Sequence, residues 1–207
     1  GVATDLAEGR VELLYISPLL YVKAKKKEPK IDVIASVRWK KSHSYQGFIL
    51  ARVDRNIRRL SDLKGVRMCW VSKNSTSGYL FPRLVLWRAG LNPDTMFSKV
   101  YFNGYHTKAL KNLDNGLCDA AAVYNSLYLR ARDEGQLKSA IRIVSATGPI
   151  PQDAVVVGPK LSPTQKKRIQ VALLEFDGKK HLSKESTKKG IRMSSFVMVS
   201  DSHYDSV

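Results

Sequence analysis

Two junctions between a predicted strand and a predicted helix, and one segment before a strand, carry side chains that could bind a small anion. The first is the hydroxyl run Ser75, Thr76 and Ser77, which follows an apolar strand and opens a helix. A helix start offers backbone N–H groups and the positive end of the helix dipole, so hydroxyls there suit a tetrahedral oxyanion. The GxxxxGK[ST] spacing of a P-loop is absent. A serine-rich N-cap without a ligand is the alternative interpretation, and composition alone leaves both open.

The other two positions are occupied by a histidine and an aspartate. His106 stands at the start of a helix after the strand at 100–102, where an imidazole can donate a hydrogen bond to an anion. Asp153 precedes an apolar strand and is either a turn-former or a ligand group. Taken singly, each residue favours the structural interpretation. Pro82 has no backbone N–H, which predicts an irregular first turn in the helix after the hydroxyl run.

These positions belong to a chain that alternates strands and helices. Strands are predicted at 11–16, 31–39, 45–52, 66–71, 100–102, 120–124, 141–145 and 154–157. Helices are predicted at 18–25, 78–89, 106–113, after 125, and at 163–176. Such alternation indicates an α/β fold with a mainly parallel sheet covered by helices. Ligands of these sheets bind beyond the carboxyl ends of the strands, which is where the hydroxyl run and His106 fall.

Composition excludes several classes of protein. The chain has 207 residues, of which 43% are hydrophobic, and it carries 35 Lys and Arg against 18 Asp and Glu, a net charge of +17. A disordered, collagen-like, coiled-coil or membrane-spanning chain is excluded by this composition and by the lack of repeats and long apolar runs. Basic clusters occur at 23–30, 38–41, 52–59, 166–168 and 179–192. Because they lack interleaved aromatic residues, a solvated basic surface is favoured over a nucleic-acid groove.

The two cysteines, Cys69 and Cys118, each lie in an apolar, strand-like run. A buried free thiol is expected for both. No Cys or His spacing typical of a metal site is present, so we expect no metal and no cofactor. We also expect no catalytic activity, because the sequence shows no nucleophile–base pair and no paired carboxylates.

The junctions, taken together and in this order, resemble the phosphate/phosphite/phosphonate substrate-binding proteins of ABC transporters. The most specific match is Asn-Ser-Thr-Ser-Gly-Tyr at 74–79. Other matching stretches lie at 9–12, 17–21, 45–49, 60–65, 104–106, 116–121 and 149–153. The similarity fades after about residue 176. The resemblance implies a fold like that of type 2 periplasmic-binding proteins, with two lobes, mainly parallel sheets and a hinge between them.

The resemblance also implies a ligand shell around a phosphorus oxyanion. The implied ligand-binding residues are Tyr45, Ser75, Thr76, Ser77, His106 and Asp153. A carboxylate at Asp153 would repel a fully deprotonated phosphate, and it could accept a hydrogen bond from a protonated oxygen or from an ammonium group. Phosphite, hydrogen phosphate or a small phosphonate is therefore expected to bind better than sulfate. Members that bind aminoalkyl phosphonates have a glutamate near the position of Ser126. Residues 120–132 contain no carboxylate, so recognition of an amine tail is not expected.

For the organisation of the chain, lobe one is expected at 1–50 and 153–207, and lobe two at 51–152. The sequence opens near the end of a helix, so the strand, helix and strand that begin lobe one in the family are expected to be missing from it. The resemblance implies an ABC-transporter permease as partner and a periplasmic or extracytoplasmic location, with lipid anchoring left open. The positive charge is compatible with association with a membrane surface, and no specific nucleic-acid partner is expected.

Two other functions remain compatible with the sequence. The same fold could serve as the ligand-sensing domain of a signalling protein, where a partner other than a permease responds to closure. A basic nucleic-acid-binding protein is the second alternative, and steep salt dependence of DNA binding would favour it.

Overall fold

The computed structural model describes residues 1–39, 42–183 and 194–207, so the predicted basic clusters at 38–41 and 179–192 lie partly outside the described residues. The chain divides into two compact units. Unit 1 contains residues 1–44 and 151–207, and unit 2 contains residues 45–150. These limits lie close to the expected lobe boundaries, and the role of the units as lobes stays a prediction.

Helices and strands alternate along most of the chain. The helices are α1 (Val2–Ala7), α2 (Pro18–Lys27), α3 (Phe81–Arg88), α4 (His106–Asp114), α5 (Asn125–Asp133), α6 (Pro163–Leu174) and α7 (Gly178–His181). The strands are β1 (Leu13–Ile16), β2 (Asp32–Arg38), β3 (Ser44–Tyr45), β4 (Gly47–Arg52), β5 (Arg67–Trp70), β6 (Lys99–Phe102), β7 (Ala120–Tyr124), β8 (Ile141–Ala146), β9 (Ile150–Pro151), β10 (Ala154–Val157) and β11 (Ser195–Val197). No helix within the described residues is long and apolar enough to cross a membrane.

Unit 1 is built on a four-stranded sheet in the order β1-β10-β2-β11. Each neighbouring pair is antiparallel. One core cluster joins the sheet to α1 and α2 through residues such as Leu6 and Tyr21. A second cluster, with Val155 and Leu161, packs against side chains of α6. The sheet of unit 1 is therefore covered by helices on both faces.

Unit 2 is built on a five-stranded sheet in the order β6-β5-β7-β4-β8. β5 runs parallel to β6 and β7, whereas β4 runs antiparallel to β7 and β8. One core cluster includes Leu110 of α4 and Tyr128 of α5. Another includes Trp70 and Leu86, the latter on α3. The parallel strands thus end at one edge of a sheet that is packed on both faces.

The strand directions correct the expectation of mainly parallel sheets, because both sheets contain antiparallel pairs. Gly47 lies opposite Tyr124, so β4 enters unit 2 at the edge where β7 ends. A chain that enters at that edge must run away from it, antiparallel to the strands that finish there. In unit 1, β10 likewise brings the chain back beside β2, which carries it out. The α/β class itself and its two-unit organisation agree with the structure.

The cysteines also correct an expectation. Cys69 and Cys118 form a disulfide with a Cα–Cα distance of 5.9 Å, so the prediction of two free thiols was wrong. Both side chains are fully buried, as predicted. Cys69 lies opposite Ala121 in the β5–β7 pair, and this pairing brings Cys118, just before β7, within reach. The two apolar runs contain no local signal for that pairing.

Candidate oxyanion-binding site

The hydroxyl run lies where β5 ends and the next helix begins. Ser75 caps that helix, and its Oγ accepts a hydrogen bond from the Gly78 N–H at 3.0 Å. The helix opens with a π-helical turn, Thr76–Leu80, and continues as α3. The Leu80 N–H donates to the Ser75 carbonyl five residues back, at 3.1 Å. The irregular first turn predicted from Pro82 is therefore confirmed.

Two glycines allow the start of this helix to pack closely. A Cβ on Gly78 would lie 2.4 Å from the Val71 side chain and 2.9 Å from Ser75 Oγ. A Cβ on Gly47, at the start of β4, would lie 2.6 Å from the Ser77 carbonyl oxygen. The close approach buries the hydroxyl run, whose three residues are 8%, 1% and 2% exposed.

His106 begins α4, directly after β6, and reaches the hydroxyl run. Its Nε2 lies 3.3 Å from Ser75 Oγ, and its Nδ1 accepts a hydrogen bond from the Tyr124 N–H at 3.2 Å. Burial lowers the pKa of His106 to about 4, so the ring is neutral at neutral pH. Because Nδ1 accepts, we assign the single ring proton to Nε2, which donates to Ser75 Oγ.

The hydrogen bonds from Gly78 and His106 make the Ser75 hydroxyl a hydrogen-bond donor towards a ligand. Its oxygen accepts from the Gly78 N–H and from His106, so its own hydroxyl proton is directed to a third partner. An anion is the partner that such a donor favours, and the positive end of the helix dipole points the same way. The arrangement can bind a charged oxygen without a cationic side chain.

Asn103 is a positioning residue that the sequence did not reveal. It is buried at the end of β6, and its Nδ2 donates to the Trp70 carbonyl at 2.9 Å. The next N–H, that of Gly104, donates to the Val71 carbonyl at 2.8 Å. These bonds tie the end of β6 to the end of β5, and so hold His106 near the hydroxyl run. An Asn-Gly pair after a strand signals a turn, which was the only available clue.

Tyr45 lies on the segment that enters unit 2. The Gln46 carbonyl accepts from the Asn125 N–H at 2.9 Å, and Gly47 pairs with Tyr124. Tyr124 in turn contacts His106, with ring centroids 4.7 Å apart. The main chain that follows Tyr45 is therefore held at the sheet edge where β7 ends, and a contact of Tyr45 with a ligand stays a prediction.

Asp153 belongs to unit 1, between β9 and β10. Its carbonyl oxygen accepts from the Val37 N–H at 3.3 Å and from Ser36 Oγ at 3.1 Å. Burial raises the pKa of the Asp153 carboxyl to about 6, and a hydrogen bond from the Tyr15 hydroxyl opposes that rise. Five of the six predicted site residues thus lie in unit 2 and one in unit 1; that they act on one ligand stays a prediction. Among the described residues, no group of three or more His, Cys, Asp or Glu side chains could hold a metal ion.

Comparison with known proteins identifies the family. Residues 1–204 match the family model described as the periplasmic substrate-binding protein of phosphonate ABC transporters. The chain belongs to this family. Its members are substrate-binding transport proteins rather than enzymes.

The chain matches part of a phosphate-import protein from a mycobacterium. It is 30% identical over 149 residues to the phosphate-import protein PhnD of Mycolicibacterium smegmatis, a match that covers 67% of this chain and 46% of that protein. The chain thus spans about half the length of this curated relative.

Solved structures of similar proteins show the same fold. PhnD1 of Prochlorococcus marinus, in complex with methylphosphonate, matches with a TM-score of 0.84 at 20% identity, over 99% of this chain and 79% of that one. A binding-protein component of an ABC phosphonate transporter from Pseudomonas aeruginosa matches with a TM-score of 0.79 at 19% identity, over 99% and 68%. The type 2 periplasmic-binding fold expected from the sequence is confirmed.

Proposed function

We propose that this chain is part of a protein that captures a phosphorus oxyanion for uptake by an ABC transporter. The observation that carries the proposal is the hydrogen bond between Ser75 Oγ and His106 Nε2, 3.3 Å long, at the start of the helix that runs into α3. It leaves the Ser75 hydroxyl proton for a ligand, and Thr76 and Ser77 follow directly. Methylphosphonate in PhnD1 and phosphate import in the mycobacterial relative support this ligand chemistry.

Asp153 narrows the proposed ligand class. A carboxylate in the ligand shell accepts a hydrogen bond from a protonated phosphorus oxygen but repels an oxyanion that has no proton to offer. Phosphite, hydrogen phosphate and small phosphonates can carry such a proton near neutral pH, and sulfate cannot. We therefore expect the phosphorus oxyanions to bind more tightly than sulfate.

The chemistry near α5 argues against an amine-bearing ligand. Ser126, at the position where the resemblance implies a glutamate for aminoalkyl phosphonates, is exposed in the first turn of α5. Its N–H is bonded to the Asn125 side chain at 2.9 Å. No carboxylate there can pair with an ammonium group, so an amine tail would lack the contact that the glutamate makes in those members.

The proposed partner is the permease of an ABC transporter, and the proposed location is extracytoplasmic. The family is described as periplasmic. The Cys69–Cys118 disulfide supports an oxidising compartment, because such bonds rarely persist in the cytosol.

Thermal unfolding against a panel of anions tests the proposed function. At 100 times its dissociation constant, a true ligand adds about 2.7 kcal/mol to the free energy of unfolding. Phosphite, phosphate and methylphosphonate should each raise the melting temperature, and sulfate at the same ionic strength should not. A chain that responds to none of the phosphorus oxyanions, or equally to sulfate, would contradict the proposal.

A further inference from the structure

Tyr15 and Asp153 lie side by side on one face of the sheet of unit 1. Tyr15 of β1 is directly opposite Val155 of β10, and Asp153 precedes Val155 by two residues. Asp153 lies just before β10, and the bond from the Val37 N–H to its carbonyl oxygen extends the pairing with β2 to this residue. The alternation of side chains then puts Asp153 on the same face as Val155 and Tyr15, so that Tyr15 and Asp153 form a diagonal pair. The Tyr15 hydroxyl donates a hydrogen bond to the Asp153 carboxylate.

The two partners differ in how they are held. The main chain of Asp153 is fixed by hydrogen bonds from Val37 and Ser36 to its carbonyl oxygen. Tyr15 is 46% exposed, so its side chain is not part of the hydrophobic core. A half-exposed phenol that donates to a largely buried carboxylate stabilises the charged form, which burial alone disfavours.

No cation shares this task among the described residues. The titratable groups that interact with the Asp153 carboxyl in this part of the chain are two phenols, Tyr15 from β1 and Tyr204 from the turn Asp201–Tyr204. The hydroxyl of Ser36, from β2, bonds the main-chain carbonyl of Asp153. The Tyr204 hydroxyl donates to the Gln152 carbonyl at 3.3 Å, and burial raises the pKa of Tyr204 to about 12. Tyr204 is therefore neutral over the range in which Asp153 titrates.

We propose that Tyr15 is a positioning residue for ligand selection, which holds the Asp153 carboxylate ionised and oriented to accept a hydrogen bond from a singly protonated oxyanion. A carboxylate has two oxygens, so one can accept from Tyr15 while the other accepts from a P–OH group. The proposal rests on the proposed function, because Asp153 must face the ligand for Tyr15 to matter.

The pH dependence of binding follows from the number of protons that Asp153 and the ligand carry in the complex and when they are free. The complex holds one proton between Asp153 and the ligand oxygen. Below the pKa of Asp153, which is about 6, a proton must leave before binding, and above the second ionisation of the ligand one must be taken up. Affinity should therefore fall on an acid limb set by Asp153 and on an alkaline limb set by the free ligand.

Titration calorimetry with methylphosphonate between pH 4.5 and 9 tests the proposal on Tyr15→Phe. Loss of the phenol donor should move the acid limb upward by about one pH unit, the equivalent of one hydrogen bond to a charged group. The alkaline limb should stay in place, because it belongs to the ligand. Tyr204→Phe is the matched control, since it removes a phenol that bonds the neighbouring carbonyl, and it should leave both limbs unchanged.

A carboxyl NMR titration of the ligand-free protein keeps the inference separate from the proposed function. The pKa of Asp153 should be higher in Tyr15→Phe than in the parent protein. If no phosphorus oxyanion binds the parent protein, the proposed function fails, and this titration still decides whether Tyr15 sets the ionisation of Asp153. An unchanged Asp153 titration, or an acid limb that moves equally in both phenylalanine variants, would overturn the role of Tyr15.

Discussion

The predicted site residues of unit 2 are neutral hydrogen-bond donors and acceptors, whereas the one predicted in unit 1, Asp153, has a carboxyl group. In unit 2, burial holds His106 neutral, and hydrogen bonds from Tyr124 and to Ser75 set its tautomer. In unit 1, burial keeps the Asp153 carboxyl close to its protonated form at mildly acidic pH. If both units contact the ligand, as we propose, the neutral donors of unit 2 would bind its negative charge, and the carboxyl group of unit 1 would discriminate between protonated and unprotonated oxyanions.

The units also differ in how they are stabilised. Both cysteines of the chain lie in unit 2 and form a buried disulfide between the end of β5 and the segment before β7. The helix starts that carry the hydroxyl run and His106 follow β5 and β6. Unit 1 contains no cysteine, so no disulfide stabilises its sheet.

The largest expected effect comes from removing the disulfide in a Cys69→Ala/Cys118→Ala variant. The bond closes a loop with a sequence separation of 49, for which chain entropy predicts a loss of about 4 kcal/mol in the free energy of unfolding. Denaturant unfolding in a Trp39→Phe background, where Trp70 and Trp87 of unit 2 are the remaining tryptophans, measures the loss by fluorescence. Circular dichroism of the remaining transition should show unit 1 unchanged. An equal loss in both units would show that the disulfide does not stabilise unit 2 selectively.

Ser75→Ala should reduce affinity for methylphosphonate about 10- to 150-fold, because a buried hydrogen bond to a charged group contributes about 1.5–3 kcal/mol. Titration calorimetry measures the loss. Ser98→Ala, at an exposed serine elsewhere in unit 2, is the matched control and should bind like the parent protein. Equal affinity of the two variants would mean that the hydroxyl run is only a helix cap.

The pH dependence of stability should have opposite signs for Asp153 and His106. The pKa of Asp153 rises to about 6 from 3.8, so its contribution favours the folded state below about pH 4 and is lost as pH rises to 6. The pKa of His106 falls to about 4 from 6.5, so its contribution is present above pH 6.5 and is lost as pH falls to 4. Between pH 4 and 6 the two contributions nearly cancel.

Substituting either residue should reveal the pH dependence that the other residue gives to the free energy of unfolding. In Asp153→Asn, the free energy of unfolding should fall on acidification between pH 6 and 4, by up to about 1.4 kcal/mol per pH unit. In His106→Gln, it should rise over the same range. Urea unfolding at half-unit pH steps measures both. Parallel pH profiles of the two variants would show that the assigned ionisation states are wrong.

The smallest expected effect is a coupling between the units in ligand binding. If Ser75 and Asp153 contact the same ligand, the affinity losses of Ser75→Ala and Asp153→Asn should deviate from additivity by about 0.5–3 kcal/mol. A double-mutant cycle by calorimetry measures this coupling. The same cycle with Ser98→Ala in place of Ser75→Ala should be additive, and additivity in both cycles would separate Asp153 from the ligand.

The local parts of the fold and site could be predicted from the sequence. Strand-to-helix junctions carry their own signals, so the sequence placed the hydroxyl run and His106 at helix starts, and Pro82 predicted the irregular turn that the structure shows. Each of these inferences uses residues within about ten positions of one another.

The features that the sequence did not predict depend on which strands are neighbours in the sheets. Short-range sequence patterns do not determine this order. The antiparallel entry of β4, the Cys69–Cys118 disulfide and the Tyr15–Asp153 pair each join segments far apart in sequence. The tautomer of His106 depends on the main-chain N–H of Tyr124, a group that every residue but proline supplies and that no sequence pattern marks.

A crystal structure of the protein with methylphosphonate would show whether the hydroxyl run binds a phosphorus oxyanion. We expect a phosphonate oxygen within hydrogen-bond distance of Ser75 Oγ, with His106 Nε2 still beside Ser75 Oγ and the Tyr124 N–H still bonded to His106 Nδ1. Phosphonate bound elsewhere on the chain, with Ser75 and Thr76 contacting only protein atoms, would contradict this expectation.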